Sequence, residues 1–187
     1  MPHSRYPKEL ILKDCSEVVL RPLSEADEAA ALQFFSDLPM KNRWYLKEDP
    51  ADAAVLKKWI ANQATGKTFC VLALAGDRVV AHASLLRHMA GGRQHIGRIR
   101  LVVAPHYRNR QLGTWMIFDL IRRAMEMGLE KIRIDFVVGL EDRAIEGVTR
   151  LDFVKECRLK DYLRDKDGNT YDYLIMMKTL QQQWSDF

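Results

Sequence analysis

Along residues 96–127 the spacing of apolar positions changes from two to between three and four. Ile99, Leu101 and Val103 alternate with Arg98, Arg100 and Val102, the period of a strand with one well-buried face. Pro105 has no ladder donor and biases Ala104 toward extended backbone, so the strand should stop there. Leu112, Met116, Leu120, Ile121, Ala124 and Met127 then recur at helical spacing, while Asp119, Arg122, Arg123 and Glu126 fall largely elsewhere. A helix is therefore predicted to start near Gln111 and to be closed by Gly128. Residues 131–138 form a strand with Ile132, Ile134, Phe136 and Val138 on one face, and the helical crossover makes it a parallel neighbour of the strand at 96–103.

The rest of the chain reads in the same way. Residues 17–21 predict a short first strand, followed by a helix capped at Ser24 and running to about Phe35. Residues 36–39 break it, residues 40–47 form a loop, and a second helix begins at Asp49-Pro50 with Val55, Leu56, Trp59 and Ile60 inward. Residues 68–75 and 78–87 pair as a hairpin at Gly76-Asp77. Residues 141–151 predict a short helix, and residues 153–164 and 170–178 a final hairpin around Asp167-Gly168-Asn169.

The chemistry of the chain concentrates in the turn Arg108-Asn109-Arg110-Gln111-Leu112-Gly113-Thr114. The first turn of a helix has unpaired N–H groups and a partial positive charge, so two arginines just before it make an anion site. Gly113 lets a ligand or another backbone approach closely. Solvated arginines on an ordinary strand-to-helix connection are the competing interpretation. Two other phosphate motifs fail: no Gly-x-Gly-x-x-Gly follows the strand, and Gly66-Lys67-Thr68 has Ala61 where a P-loop needs glycine and leads into a strand.

At 187 residues and 48% hydrophobic, the chain is long enough for one domain, residues 1–187, with a full core. No apolar run approaches a membrane span and the start lacks the apolar region of a signal peptide, so a cytoplasmic protein is expected. Cys15, Cys70 and Cys157 are odd in number and far apart, which suits neither a disulfide framework nor a zinc site; Cys70 should lie in a buried strand. A net charge of +4, with Lys and Arg spread among acids, suits an anionic cofactor and gives little support to nucleic-acid binding.

The segment Val103-Ala104-Pro105-His106-Tyr107-Arg108-Asn109-Arg110-Gln111-Leu112-Gly113 resembles the Val-x-Pro-x-x-Arg-x-x-Gly-x-Gly/Ala pattern of the GNAT (GCN5-related) N-acetyltransferases. Gln111 stands where that pattern has its first glycine. Residues 76–83 resemble the family's second hairpin, and residues 143–153 its late helix ending in Gly-Phe, with Asp152 replacing the glycine. The order of elements matches over roughly residues 18–178. The resemblance implies an α+β fold with a mixed, mostly antiparallel sheet flanked by helices, and an acetyl-CoA-dependent transfer of acetyl to a primary amine by direct attack in a ternary complex, without a metal. It implies that Leu101, Val102 and Val103 hold the pantetheine arm through their backbone, that a backbone N–H near Val103 meets the thioester oxygen, and that Arg108, Asn109, Arg110, Gln111, Leu112, Gly113 and Thr114 hold the pyrophosphate. Its partners would be an amine acceptor, small molecule or protein, with no nucleic acid and no membrane; a homodimer is left open.

No catalytic residue is assigned. Where many relatives carry a glutamate this strand has His95, Arg98 and Arg100, and the position of their tyrosine acid is Val148. The nearby asparagine of relatives falls on Leu140 or Glu141. Asp135, His95, Tyr162, Tyr171 and Tyr173 are substitutes, each expected to be structural, with Asp135 facing solvent. His82 and His88 could share a face but lack a third ligand. Trp44 and Tyr45 either line the acceptor pocket or anchor their loop on the core. A non-catalytic acyl-CoA-binding sensor or regulatory module on the same fold is the alternative function.

Overall fold

The computed structural model describes residues 6–45 and 48–180, apart from the side chain of Lys41. One eight-stranded sheet runs through it, built from β1 (Lys8–Ile11), β2 (Glu17–Pro22), β3 (Thr68–Ala75), β4 (Arg78–Arg87), β5 (Ile96–Val103), β6 (Lys131–Val137), β7 (Val154–Arg164) and β8 (Thr170–Thr179). The spatial order is β1-β2-β3-β4-β5-β6-β8-β7, and every pairing is antiparallel except β5 with β6. The helices are α1 (Glu28–Asp37), α2 (Met40–Arg43), α3 (Ala53–Ala64), α4 (Leu112–Glu126) and α5 (Asp142–Thr149). This is the mixed α+β arrangement that the sequence predicts.

Alternation along the strands divides the core into two layers. On one face Ile99, Ile132, Ile134 and Phe136 pack against Met116, Leu120 and Ala124 of α4 and Ile145 and Val148 of α5. On the other, Cys70, Leu72 and Leu74 pack against Phe34 and Phe35 of α1 and Leu56 of α3. Cys70 is fully buried there, and burial pushes its thiol up to about 12, so it stays a protonated thiol at neutral pH.

Four local expectations change. The strand β1 lies before the predicted core, pairing Leu10 with Val18; its four residues are too few to show a period. It is fixed to α4 because Tyr6 and Lys8 both hydrogen-bond Asp119, a carboxylate on the inward side of the helix that burial would otherwise disfavour. The predicted loop at 40–47 contains α2, whereas Leu46 and Lys47 lie outside the described residues. The following helix starts at Ala53, where the Asp52 carboxylate accepts from the Ala54 N–H at 2.8 Å and supplies the cap. The helix predicted at Ser24 begins as a single 3-10 turn, with Ser24 and Arg21 both bonded to Asp27.

Candidate functional site

The parallel ladder between β5 and β6 stops halfway. It pairs Ile96 with Lys131 and ends at Ile99 with Ile134, so Arg100, Leu101, Val102 and Val103 continue without β6 beside them. On its other side β5 remains fully paired to β4, up to Ala81 with Val103. The Ala104 N–H donates to the Val80 carbonyl at 2.9 Å, which fixes the alternation: the backbone groups of Val102 and Arg100 face β4, and those of Leu101 and Val103 face the opening. This corrects the expectation that three consecutive residues could serve one ligand, since Val102 spends its donor and acceptor on His82. On the β6 side the Val137 N–H is taken by the Glu141 carboxylate at 2.7 Å and the Val137 carbonyl by the Glu141 N–H at 3.1 Å. The unpaired edge of the wedge therefore belongs to β5.

The wedge opens onto the basic turn. Asn109 and Gln111 both adopt left-handed backbone, φ 61° and 68°, which accounts for a glycine at the second position in related sequences and places Gln111 at a cost of about 1–2 kcal/mol. Helix α4 begins directly after it, and the N–H groups of Leu112, Gly113 and Thr114 have no carbonyl one turn back. Leu112 itself is buried, so only its backbone is available. A Cβ on Gly113 would stand 3.1 Å from Leu101 Cδ2, so the helix start is seated against β5. Arg108 Nε donates to the Val103 carbonyl at 3.0 Å, and Arg110 pairs with Asp14 at 2.5 Å while lying over the Tyr107 ring. The structure thus gathers the predicted turn around one helix N-terminus, with one arginine engaged by the wedge edge and the other by the β1–β2 connection.

A second polar group lies on the α1/α3 face of the sheet, beside the closed end of the wedge. The Asp135 side chain is buried, 6% exposed, and sits between Arg98 (2.5 Å) and Arg133 (2.6 Å). This corrects the expectation that it faces solvent: its even register with Arg133 and Val137 points it away from α4, where two guanidiniums cover it. Tyr173 accepts from Arg98 at 3.1 Å, and burial, then the Asp135 charge, raises its hydroxyl pKa. His82 is stacked on Trp59 and edge-on to Phe35 at 5.3 Å each; burial pushes it down to about 4, so it is neutral at pH 7. Trp44 donates to the Arg164 carbonyl at 2.9 Å and Tyr45 packs on Tyr171, so both anchor α2 to the β7–β8 hairpin rather than to the core. Tyr162 is exposed and tilts against Tyr173. Val148 is buried, which leaves no polar group at the position of the relatives' tyrosine.

Glu141, which the sequence offered only as one of two places for the relatives' asparagine, proves to hold the end of β6. Its carboxylate is tucked under β6 although much of the residue is exposed; burial raises its pKa, opposed by the Val137 N–H and by Arg108. The signals for it were its place at the start of a short helix and its match to the relatives' asparagine position. Among the described residues no group of three or more His, Cys, Asp or Glu comes together as a metal site would require, and no helix is long and apolar enough to cross a membrane.

Comparison with known proteins agrees with this fold. An acetyltransferase of the GNAT family from Streptococcus pneumoniae superposes with a TM-score of 0.74 at 18% identity, covering 87% of this chain and 99% of its own. Ribosomal-protein-alanine N-acetyltransferase from Brucella melitensis gives 0.74 at 22% identity, covering 86% and 99%. The protein yncA from Salmonella typhimurium, solved with its cofactor acetyl-CoA, gives 0.75 at 17% identity, covering 90% and 96%. No curated protein matches the sequence. The family model for acetyltransferases of the GNAT family matches residues 28–153, from the first residue of α1 to the turn after α5 and across the whole wedge, and the chain belongs to that family.

Proposed function

We propose that this protein is an acetyl-CoA-dependent N-acetyltransferase acting on a primary amine, of a small molecule or a protein, by direct attack in a ternary complex. The observation that carries the reading is the wedge: a strand edge at Leu101 and Val103 with no ladder partner on β6, leading straight to a basic helix N-terminus. An extended pantetheine arm would complete that edge as an added strand, and the N–H groups of Leu112, Gly113 and Thr114 with Arg108 and Arg110 would take the pyrophosphate. Acetyl-CoA would supply the acetyl thioester. Its reactive end is the one farther from the pyrophosphate, so the N–H best placed toward the thioester oxygen is that of Leu101, deeper in the wedge than Val103. A fixed donor there stabilises charge as it develops on the oxygen.

A lysine-like amine is about three units from half-neutral at pH 7, a cost of about 4 kcal/mol. With Val148 buried and Asp135 closed between arginines, no single side chain carries the proton. Neutral amine is selected on binding, and a simple thiol of pKa about 8–9 leaves without a dedicated acid. These same two features favour the second reading, a non-catalytic acyl-CoA-binding module. Both are tested by mixing protein, acetyl-CoA and a panel of amines while following free thiol and measuring acetyl-CoA affinity by calorimetry. Thiol release that requires both amine and protein supports the enzyme, whereas affinity without release supports the module. Replacing Arg108 and Arg110 by alanine should weaken binding by about 1.5–3 kcal/mol for each charge-assisted hydrogen bond removed, and unchanged affinity in the double variant would remove the pyrophosphate assignment.

A further inference from the structure

Among the described residues Arg100 is the guanidinium on the α1/α3 face without a hydrogen bond or ion pair, and the charges of Glu48 and Asp135 act on it only from beyond ion-pair distance. Arg98 and Arg133 both close on Asp135, and Glu48 is held by Lys58 at 2.8 Å and by Trp59 Nε1 at 3.4 Å. Among the described residues no hydrogen bond or ion pair reaches Arg100, although it is only partly exposed and burial disfavours its charge. One cross-strand step away on the same face lies His82, 2% exposed, whose Nε2 also has no hydrogen-bond partner. The register places Ser84 opposite Arg100 and His82 opposite Val102, so the histidine and the arginine are diagonal neighbours on adjacent strands. Buried polar groups are nearly always satisfied, and those that are not concentrate at functional sites. His82 Nε2 is such a group, and the partly exposed guanidinium of Arg100, to which no described residue gives a hydrogen bond, lies diagonally across from it; a cation beside a neutral imidazole describes a place for a small anion.

The position gives that anion a meaning. Arg100 precedes Leu101, whose N–H faces the wedge, so its backbone lies one strand residue, roughly 3.3 Å along β5, from the deeper end of the opening, and its side chain projects from there on the α1/α3 face. The surrounding charge is cationic, three guanidiniums and Lys58 against the carboxylates of Asp135 and Glu48, which opposes a polycationic acceptor. A planar guanidinium fork matches a carboxylate in two parallel hydrogen bonds. We propose that Arg100, with His82 beside it, recognises a carboxylate on the acceptor, and that the acceptor class is small amines that carry a carboxylate close to the amine: amino acids and their near derivatives. This rests on the N-acetyltransferase reading above and names the substrate of that site.

The test compares free L-amino acids with their carboxamides, which keep the amine and side chain and lose only the anion. Binding of each to the protein saturated with CoA is measured by calorimetry, and turnover with acetyl-CoA by thiol release. The expected result is that at least one amino acid binds and reacts about 10–100-fold better than its carboxamide, and that Arg100→Gln brings this ratio close to one while acetyl-CoA affinity stays within about threefold. Arg100→Lys, which keeps the charge and loses the fork, should retain part of the preference, so a folding defect in the glutamine variant does not decide the matter. Amino acids that bind without thiol release would leave the carboxylate site standing and overturn the enzyme. Carboxamides, polyamines or peptide N-termini that react as well as or better than amino acids would leave the enzyme standing and overturn the proposal. Neither binding nor release with any amino acid would overturn the proposal, and the acetyl-CoA reaction with other amines would then decide the enzyme separately.

Discussion

At the scale of single residues, two carboxylates show how tertiary placement assigns work to groups that look alike in sequence. Asp27 is buried and takes both terminal nitrogens of Arg21 at 2.6 Å, with the Ser24 N–H and hydroxyl completing its shell. Arg21 first, then Ser24, holds its carboxyl down to about 2, against burial that pushes it up. A depressed folded value stabilises the fold above the unfolded pKa of about 3.9, and this contribution disappears as pH falls through about 2. Asp27→Asn should cost about 1–2 kcal/mol at pH 7, a figure reduced because the Arg21 side chain is 35% exposed. The difference from the native protein should shrink between pH 4 and pH 2, and urea melts at both ends of that window measure it; a pH-independent gap would contradict the assignment. Asp135 carries a different load. Asp135→Asn leaves Arg98 and Arg133 facing each other without their shared anion, at a cost of about 1–3 kcal/mol, limited by the partial exposure of both arginines. Turnover lost in that variant would therefore report on folding unless the melting midpoint is unchanged, and an unchanged midpoint would show that the bridge contributes nothing.

At the scale of elements, the wedge depends on what holds β5 and β6 together below it. Gly97 pairs with Ile132 in the closed part of the ladder, and a Cβ there would come within 2.8 Å of both Leu85 Cδ1 and Leu129 Cδ1. Both leucines are buried and have little room to move. Gly97→Ala should therefore cost about 1–3 kcal/mol through overpacking, measured by denaturant unfolding. Gly113→Ala meets a single methyl at 3.1 Å, on a side chain that is only partly buried, and sits in a helix that favours alanine by about 1 kcal/mol. Its net effect should stay below about 1 kcal/mol. Equal losses in the two variants would mean that the two glycines serve the same purpose, contrary to the geometry.

At the scale of the whole molecule, the three cysteines and the absence of a clustered ligand set in the sequence predict a fold that needs neither a disulfide nor a metal. Cys15 and Cys157 are exposed free thiols and Cys70 is a buried one. The melting temperature should be insensitive to reductant and to chelator, and a fall of several degrees with either would reveal a structural site. The order of strands and helices was legible because long amphipathic segments declare their period: the hairpin at 68–87, the strand at 96–103 and α4 were all readable. The basic turn was legible as a candidate anion site because its arginines and the helix start are neighbours in the chain. What periodicity could not reveal lies between segments far apart in sequence. The two-residue period says that Leu101 and Val103 share a side-chain face, yet whether their backbone groups face β4 or an opening depends on where the β5–β6 ladder ends. Likewise Arg98, Arg100, Arg133 and Asp135 form a group only because a parallel pairing brings two strands into register, and pairing two of those arginines with one carboxylate leaves the third without an ion pair among the described residues. Local sequence determined the longer elements and the basic turn, because those follow from side-chain period and chain adjacency; β1, the wedge, the buried Asp135 side chain and the Arg100 left without an ion pair were decided by strand register, which is a property of the packed sheet.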